Sequence, residues 1–237
     1  MLHVCNKKLG APAARVIMAT LGAIILLAPL LSQAASIEES LQYVQASSDF
    51  VEVKEARGLK IDLRYASTNN FTGKNLYGKF NRAYLHREAG SKLNKAVQQL
   101  QNSHPGYSLI IYDALRPRSV QYILWNQVKG SPKETYVANP VTGSIHNYGL
   151  AVDISIADAS GRQLDMGTPY DDFSAMSQPA LESGYIKSGK LSAEHIANRR
   201  LLQTVMESAG FIQLPVEWWH YDALPRAEVR GKFRIVE

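Results

Sequence analysis

Apolar residues along this chain recur in two rhythms, one helical and one extended, that follow each other without a fixed order. Leu85, Ala89, Leu93, Ala96, Val97 and Leu100 come at three- and four-residue steps, the spacing that lines one face of a helix. Pro105 and Gly106 close that stretch, and Leu109 to Tyr112 (LIIY) then reads as a short apolar strand. Pro117 suits the first turn of a second helix carrying Val120, Ile123, Leu124 and Val128. Lys129 to Thr142 is loop-like, and Leu150 to Ile156 (LAVDISI) is the clearest buried strand. Ser192 is placed to cap a third helix running to Ala209, with Glu194 in its first turn and Gly210 at its stop. A final strand or pair of strands takes in Phe211 to Gln213 and Glu217 to Tyr221. Ser36 to Ala66 reads as an N-terminal arm with a short strand near Leu59 to Leu63, and Ser67 to Asn81 as a polar loop punctuated by glycine. No repeat, low-complexity tract or linker divides this region. Helices and strands mix without a regular βαβ alternation, which predicts an α+β fold: a single compact domain with a central, mainly antiparallel sheet flanked by helices.

The first 34 residues follow a different pattern. Lys7, Lys8 and Arg15 precede an uncharged apolar run from Val16 to Leu31, and Ser32-Gln33-Ala34 offers small residues at a cleavage site. This is the layout of an export signal cleaved after Ala34. A retained anchor is the competing reading, but sixteen residues broken by Pro29 fall short of the ~20 that span a bilayer. The expectation is therefore a signal peptide over 1–34, a domain over 35–237, a periplasmic or secreted location, and no stable membrane association after cleavage. The single cysteine, Cys5, falls in the signal, so the mature chain has no disulfide and no thiol nucleophile. Removing Lys7, Lys8 and Arg15 from the 26 basic residues leaves 23 against 21 acidic ones. A formal charge of +2 gives no support to a nucleic-acid partner.

Two segments carry candidate chemistry. Ser144 to Asp153 contains His146 and Asp153, and Glu217-Trp218-Trp219-His220 contains a carboxylate and an imidazole. Two imidazoles and one carboxylate are a donor set that leaves a tetrahedral zinc one open position. His146 and Asp153 are seven apart, so an uninterrupted strand would point them to opposite faces. Gly149 is the place for the chain to turn, leaving His146 in a loop and Asp153 inside the strand. A carboxylate among Ala151, Val152, Ile154 and Ile156 is costly to bury unless paired or bound to metal. Glu217, three residues before His220, fits a general base beside a metal-bound water. Either segment alone reads more readily as hydrogen-bonded core, and the two tryptophans as plain core. The HExxH helix and the GxSxG elbow are both absent. His86, His104 and His195 are assigned to surface or capping roles.

Together the segments match SxHxxGxAxD followed by ExWH, which resembles the zinc signature of the D-alanyl-D-alanine dipeptidases and related D,D- and L,D-carboxypeptidases. Asp62 to Gly73 (DLRYASTNNFTG), Tyr112 to Pro117 (YDALRP), Met166 to Asp171 (MGTPYD) and Asn198 to Leu202 (NRRLL) extend the resemblance over Leu59 to Tyr221. It implies a Hedgehog/D,D-peptidase-like fold and one Zn²⁺ per chain held by His146, Asp153 and His220. It also implies Glu217 as base and Arg116 as the cation facing the tetrahedral oxyanion. Ser144 and Asp171 would hold substrate, Asp171 by pairing with the ammonium of a small dipeptide. The implied activity is hydrolysis of D-alanyl-D-alanine to D-alanine in cell-wall dipeptide turnover. A carboxypeptidase or endopeptidase acting on peptidoglycan stems, and a zinc-stabilised binding module without catalysis, are the rival expectations.

Overall fold

Residues 37–237 are described by the computed structural model, and the signal segment expected over residues 1–34 lies outside them. In chain order the elements are a helix α1 over residues 37–46, strands β1 (Phe50–Val53), β2 (Leu59–Ile61) and β3 (Ala83–His86), helix α2 (Arg87–Ser103), strand β4 (Ser108–Asp113), helix α3 (Arg118–Val128), strand β5 (Ala151–Ala157), helices α4 (Glu182–Lys187) and α5 (Ala193–Ser208), strands β6 (Ile212–Gln213) and β7 (His220–Asp222), and helix α6 (Arg226–Lys232). Five strands form the central sheet in the order β2-β4-β5-β7-β6, while β1 and β3 make a separate antiparallel pair. Only the β2–β4 pairing is parallel. The described residues cluster as one compact unit, so the α+β reading with a mainly antiparallel sheet holds.

Strand β5 is buried along its whole length, as a strand covered on both faces must be. Period-two alternation divides its side chains. Val152, Ile154 and Ile156 join the main core with Leu109 and Ile111 of β4. Ala157 on the other face meets Ile110, Tyr112 and Tyr170 in a smaller cluster. The β4–β5 register shifts between Ile111 and Asp113, which sets Asp113 directly across from Asp153. An extra residue at such a bulge re-aims the side chains beside it. Helix α2 buries Ala89, Leu93, Ala96 and Leu100, as its spacing predicts. The cap of α5 is a reciprocal box in which Ser192 Oγ accepts from His195 N and His195 accepts from Ser192 N.

Four expectations need correction. Leu85, taken with the α2 stripe, belongs to β3, and the helix begins at Arg87 with His86 as its cap. The N-terminal arm contains a helix and strand β1, held by pairing with β3. Glu217 is not in a strand: Pro215 has no N–H for a ladder, so residues between β6 and β7 form a turn closed by Leu214 N to His220 O at 3.0 Å. Helices α4 and α6 were not anticipated. Among the described residues no helix is long and apolar enough to cross a membrane.

Candidate metal centre and active site

The turn bearing His146 is built by its own sequence. Ser144 Oγ accepts from His146 N, and Asn147 Oδ1 accepts from Ser144 N at 2.7 Å. Gly149 then reverses the chain at φ +68°. A Cβ there would stand 2.9 Å from His86 N and 3.1 Å from Leu115 Cδ1, so both conformation and space demand glycine. The turn is tied to its surroundings through backbone: Arg116 N donates to His146 O at 3.0 Å, Asn147 Nδ2 to Arg116 O at 2.8 Å, and Val236 N to Asn147 O at 2.8 Å. Asp153 and His220 are direct cross-strand partners on β5 and β7.

These constraints bring three donor atoms together. His146 Nε2 lies 3.1 Å from both Asp153 Oδ1 and His220 Nδ1, and His220 Nδ1 lies 3.0 Å from Asp153 Oδ1. The remaining ring nitrogens fix the tautomers. His146 Nδ1 donates to Ala114 O at 2.7 Å, and His220 Nε2 donates to Asp222 Oδ1 at 2.8 Å. Both imidazoles therefore turn lone pairs toward a carboxylate oxygen, an arrangement that repels itself unless a cation or proton sits among the three. Donors on a tetrahedral zinc stand about 3.3–3.5 Å apart, given bonds of about 2.0–2.2 Å, so a slight widening of the triangle admits the ion. This group of His146, Asp153 and His220 can hold a metal. The same demand for positive charge appears in the proton affinities. Burial opposes a charge on His220, yet Asp222 and Asp153 push its pKa up to about 10. Burial likewise opposes the Asp153 anion, but the two histidines hold its carboxyl well below the usual range.

Around the triad stand the other expected residues. Arg116 is buried, with Nε and Nη2 on Asp113 Oδ2 at 2.8 and 2.6 Å and Nη1 on Gln121 Oε1 at 2.8 Å. Its guanidinium also lies 5.0 Å from the centre of the Tyr65 ring and 3.6 Å, through Nη2, from Asp153 Oδ2. Burial works against its charge, but Asp113 outweighs that and keeps it protonated. Glu217 Oε2 lies 3.9 Å from His220 Nδ1. Burial, helped by Asp153, raises the Glu217 carboxyl to about 7 against the pull of His220 and Arg116. Such a carboxyl exchanges protons near neutrality, which suits a general base. Asp171 adopts φ +60°, the only such non-glycine among the described residues, and both its oxygens lie 3.1 Å from Tyr65 Oη. Burial and the Asp153 charge push its carboxyl well above the ordinary value, against the pull of Arg116 and the Tyr65 hydrogen bond.

All seven expected site residues line one cleft of about 160 Å³, together with Tyr65, Trp219 and Phe173. Ser144 has a local role too, as cap of the His146 turn. Trp219 walls the cleft, whereas Trp218 is core, its indole donating to Thr168 Oγ1 at 2.9 Å. His86 and His195 are caps, as expected. Sequence reading passed over Asp113, Tyr65, Tyr170 and Asp222. A signal existed for Asp222, which follows His220 by two residues on one strand face, and for Asp113, three residues before Arg116. Tyr170, whose hydroxyl donates to Asp153 Oδ2 at 3.0 Å, lies inside the MGTPYD stretch, but nothing there says what its hydroxyl meets.

Comparison with known proteins agrees with this geometry. Residues 46–234 match the family model described as D-ala-D-ala dipeptidase, a peptidase family. The chain is 37% identical over 169 residues to the D-alanyl-D-alanine dipeptidase of Escherichia coli, covering 71% of this chain and 80% of that protein. It is 30% identical over 160 residues to the protein of that name from a Synechocystis strain, with coverages of 55% and 65%. The Enterococcus faecium protein of that name is 30% identical over 181 residues, with coverages of 69% and 85%. The match spans both candidate segments and the sheet that joins them, and the chain belongs to the D-ala-D-ala dipeptidase family of peptidases.

Proposed function

We propose that this protein hydrolyses D-alanyl-D-alanine to free D-alanine, with one zinc ion held by His146 Nε2, Asp153 Oδ1 and His220 Nδ1. The supporting observation is the triangle of three donors, 3.0–3.1 Å apart with both imidazole protons turned outward, at the floor of a cleft that also holds Glu217, Arg116 and Asp171. Zinc bound there supplies Lewis acidity and lowers the pKa of water to about 7. Glu217 takes the proton of the attacking water and returns it to the departing amine nitrogen. Arg116, immobilised by Asp113 and Gln121, faces the oxygen on which negative charge grows; such preorganised charge is effective in a water-poor cleft. Asp171, with Tyr65 beside it, receives the substrate ammonium, and Ser144 borders the bound dipeptide. An ammonium pocket refuses chains extended at the amino end, which favours a dipeptide over stem peptides. The basic Lys7, Lys8 and Arg15, the uncharged apolar run that follows them and the small residues ending at Ala34 support export of a domain spanning 35–237, and work on cell-wall dipeptide in the periplasm or outside the cell.

Purified protein supplied with Zn²⁺ is expected to release D-alanine from the dipeptide. Glu217→Ala should lower kcat by about 10²–10⁴-fold, the usual range for a lost acid–base group. Absence of release by the wild type, or full release by Glu217→Ala, would defeat the assignment.

A further inference from the structure

Asp153 has two carboxylate oxygens, and the structure treats them differently. Oδ1 faces both imidazole nitrogens at 3.0–3.1 Å. Oδ2 is turned away from them and accepts from Tyr170 Oη at 3.0 Å, with Arg116 Nη2 at 3.6 Å. A carboxylate rotates easily about its last torsion, and an Asp153 free to turn could offer both oxygens to one ion, crowding the position that a reactant needs. A neutral phenol is a donor at neutral pH, and its hydrogen bond gives Oδ2 a partner of its own.

The phenol is itself fixed. Its ring centroid lies 5.0 Å from that of Tyr112, 5.4 Å from Trp219 and 6.4 Å from Tyr65, all tilted or edge-on, the arrangements aromatic pairs prefer. Trp219 directly precedes His220, and its carbonyl accepts from Ile154 N at 3.0 Å. Tyr170 thus packs against the neighbour of one candidate ligand while bonding another. The next residue, Asp171, sits at φ +60°. Successive side chains of an extended segment point to opposite sides; here Tyr170 reaches Asp153 while Asp171 reaches Tyr65. A left-handed conformation strains a residue with a side chain and persists only where surroundings enforce it.

We infer that Tyr170 is a positioning residue that holds Asp153 in one-oxygen ligation of the metal and ties that ligand to the strained loop carrying Asp171. The inference rests on the metal assignment made above. Its test is the zinc dissociation constant, measured by chelator competition without substrate, beside the visible spectrum of the cobalt-substituted protein. Tyr170→Phe keeps the ring and is expected to retain the wild-type melting temperature, to bind zinc about tenfold more weakly, as loss of an outer partner of a ligand does, and to alter the cobalt spectrum. Its kcat should fall with little change in KM. Tyr170→Leu removes the ring contacts too and is expected to lose melting temperature as well as affinity. Wild-type zinc affinity and an unchanged cobalt spectrum in Tyr170→Phe overturn the inference, as does a wild type that binds no zinc; in the first case a stability loss confined to Tyr170→Leu would assign the residue to packing. Because metal binding is read without substrate, weakened binding in a protein inert toward D-alanyl-D-alanine upholds this inference and removes the dipeptidase reading. Unchanged binding in an active dipeptidase does the reverse.

Discussion

Each candidate ligand is oriented by a second residue outside the donor triangle. His220 presents Nδ1 because Nε2 donates to Asp222, which is braced by Arg226 Nε at 2.7 Å. Asp222→Ala should free the ring to turn or change tautomer and weaken zinc binding by about 10- to 100-fold, measured by chelator competition. At the opposite wall, Asp171→Asn should keep zinc affinity but raise KM for the free dipeptide by about tenfold or more, while changing turnover of the N-acetylated dipeptide much less, because the lost interaction is with an ammonium. Parallel drops for both substrates would assign Asp171 to the loop alone. The residues legible in the sequence were those whose chemistry made them conspicuous where they stood: a charge inside LAVDISI, a histidine beside two tryptophans. Arg116, Ser144 and Asp171 became legible only through family resemblance. Tyr170 and Tyr65 lie in stretches that carry the resemblance, but nothing local says that their hydroxyls meet carboxylates 17 and 106 residues away.

Elements with a long periodic pattern were read correctly, and short ones were not. Helix α2 runs 17 residues and α5 16, enough turns for a stripe and a cap to stand out. Helix α1 carries Ile37, Leu41 and Val44 at helical steps, but over residues 37–46 that is under three turns, marginal without tertiary contacts. Strands of two or three residues, such as β6 and β7, take their bounds from partners and from Pro215 rather than from propensity. The start of α2 yields a pH prediction. His86 Nδ1 accepts from Glu88 N, which requires the neutral ring, and burial lowers its pKa from 6.5, with Glu88 and Asp49 opposing. A group whose folded pKa is depressed binds its proton more readily in the unfolded chain. This contribution is therefore whole above 6.5 and is lost as pH falls from there through the lowered folded value. Urea midpoints should decline over that interval, and His86→Asn, which can still cap, should flatten the decline. Equal slopes for both proteins would rule out His86 as its source.

At the scale of the molecule, the sheet is the device that assembles the site. β4 delivers Asp113 to the chain leading into Arg116, β5 carries Asp153, β7 carries His220, and the turns flanking them carry His146 and Glu217. These parts are held by backbone hydrogen bonds and a continuous core. Chelation should accordingly abolish hydrolysis while leaving far-ultraviolet circular dichroism unchanged, and lower the melting temperature only by the lost binding free energy. Collapse of the spectrum on chelation would instead identify a module that needs metal to fold. The mainly antiparallel sheet was readable from the unsorted order of helical and extended stretches, whereas its strand order rests on pairings across the chain that no window of sequence contains.

The hydrogen bonds of Val236 reach further than their position suggests. Its N–H is bonded to Asn147 O, its carbonyl accepts from Arg118 N, and Ile235 Cδ1 lies where a side chain on Gly143 would go. The tail is thus a clasp across the base of the histidine turn and the entrance of α3, so anything that grips or displaces residues 235–236 acquires leverage on His146 and Arg116 from outside the cleft.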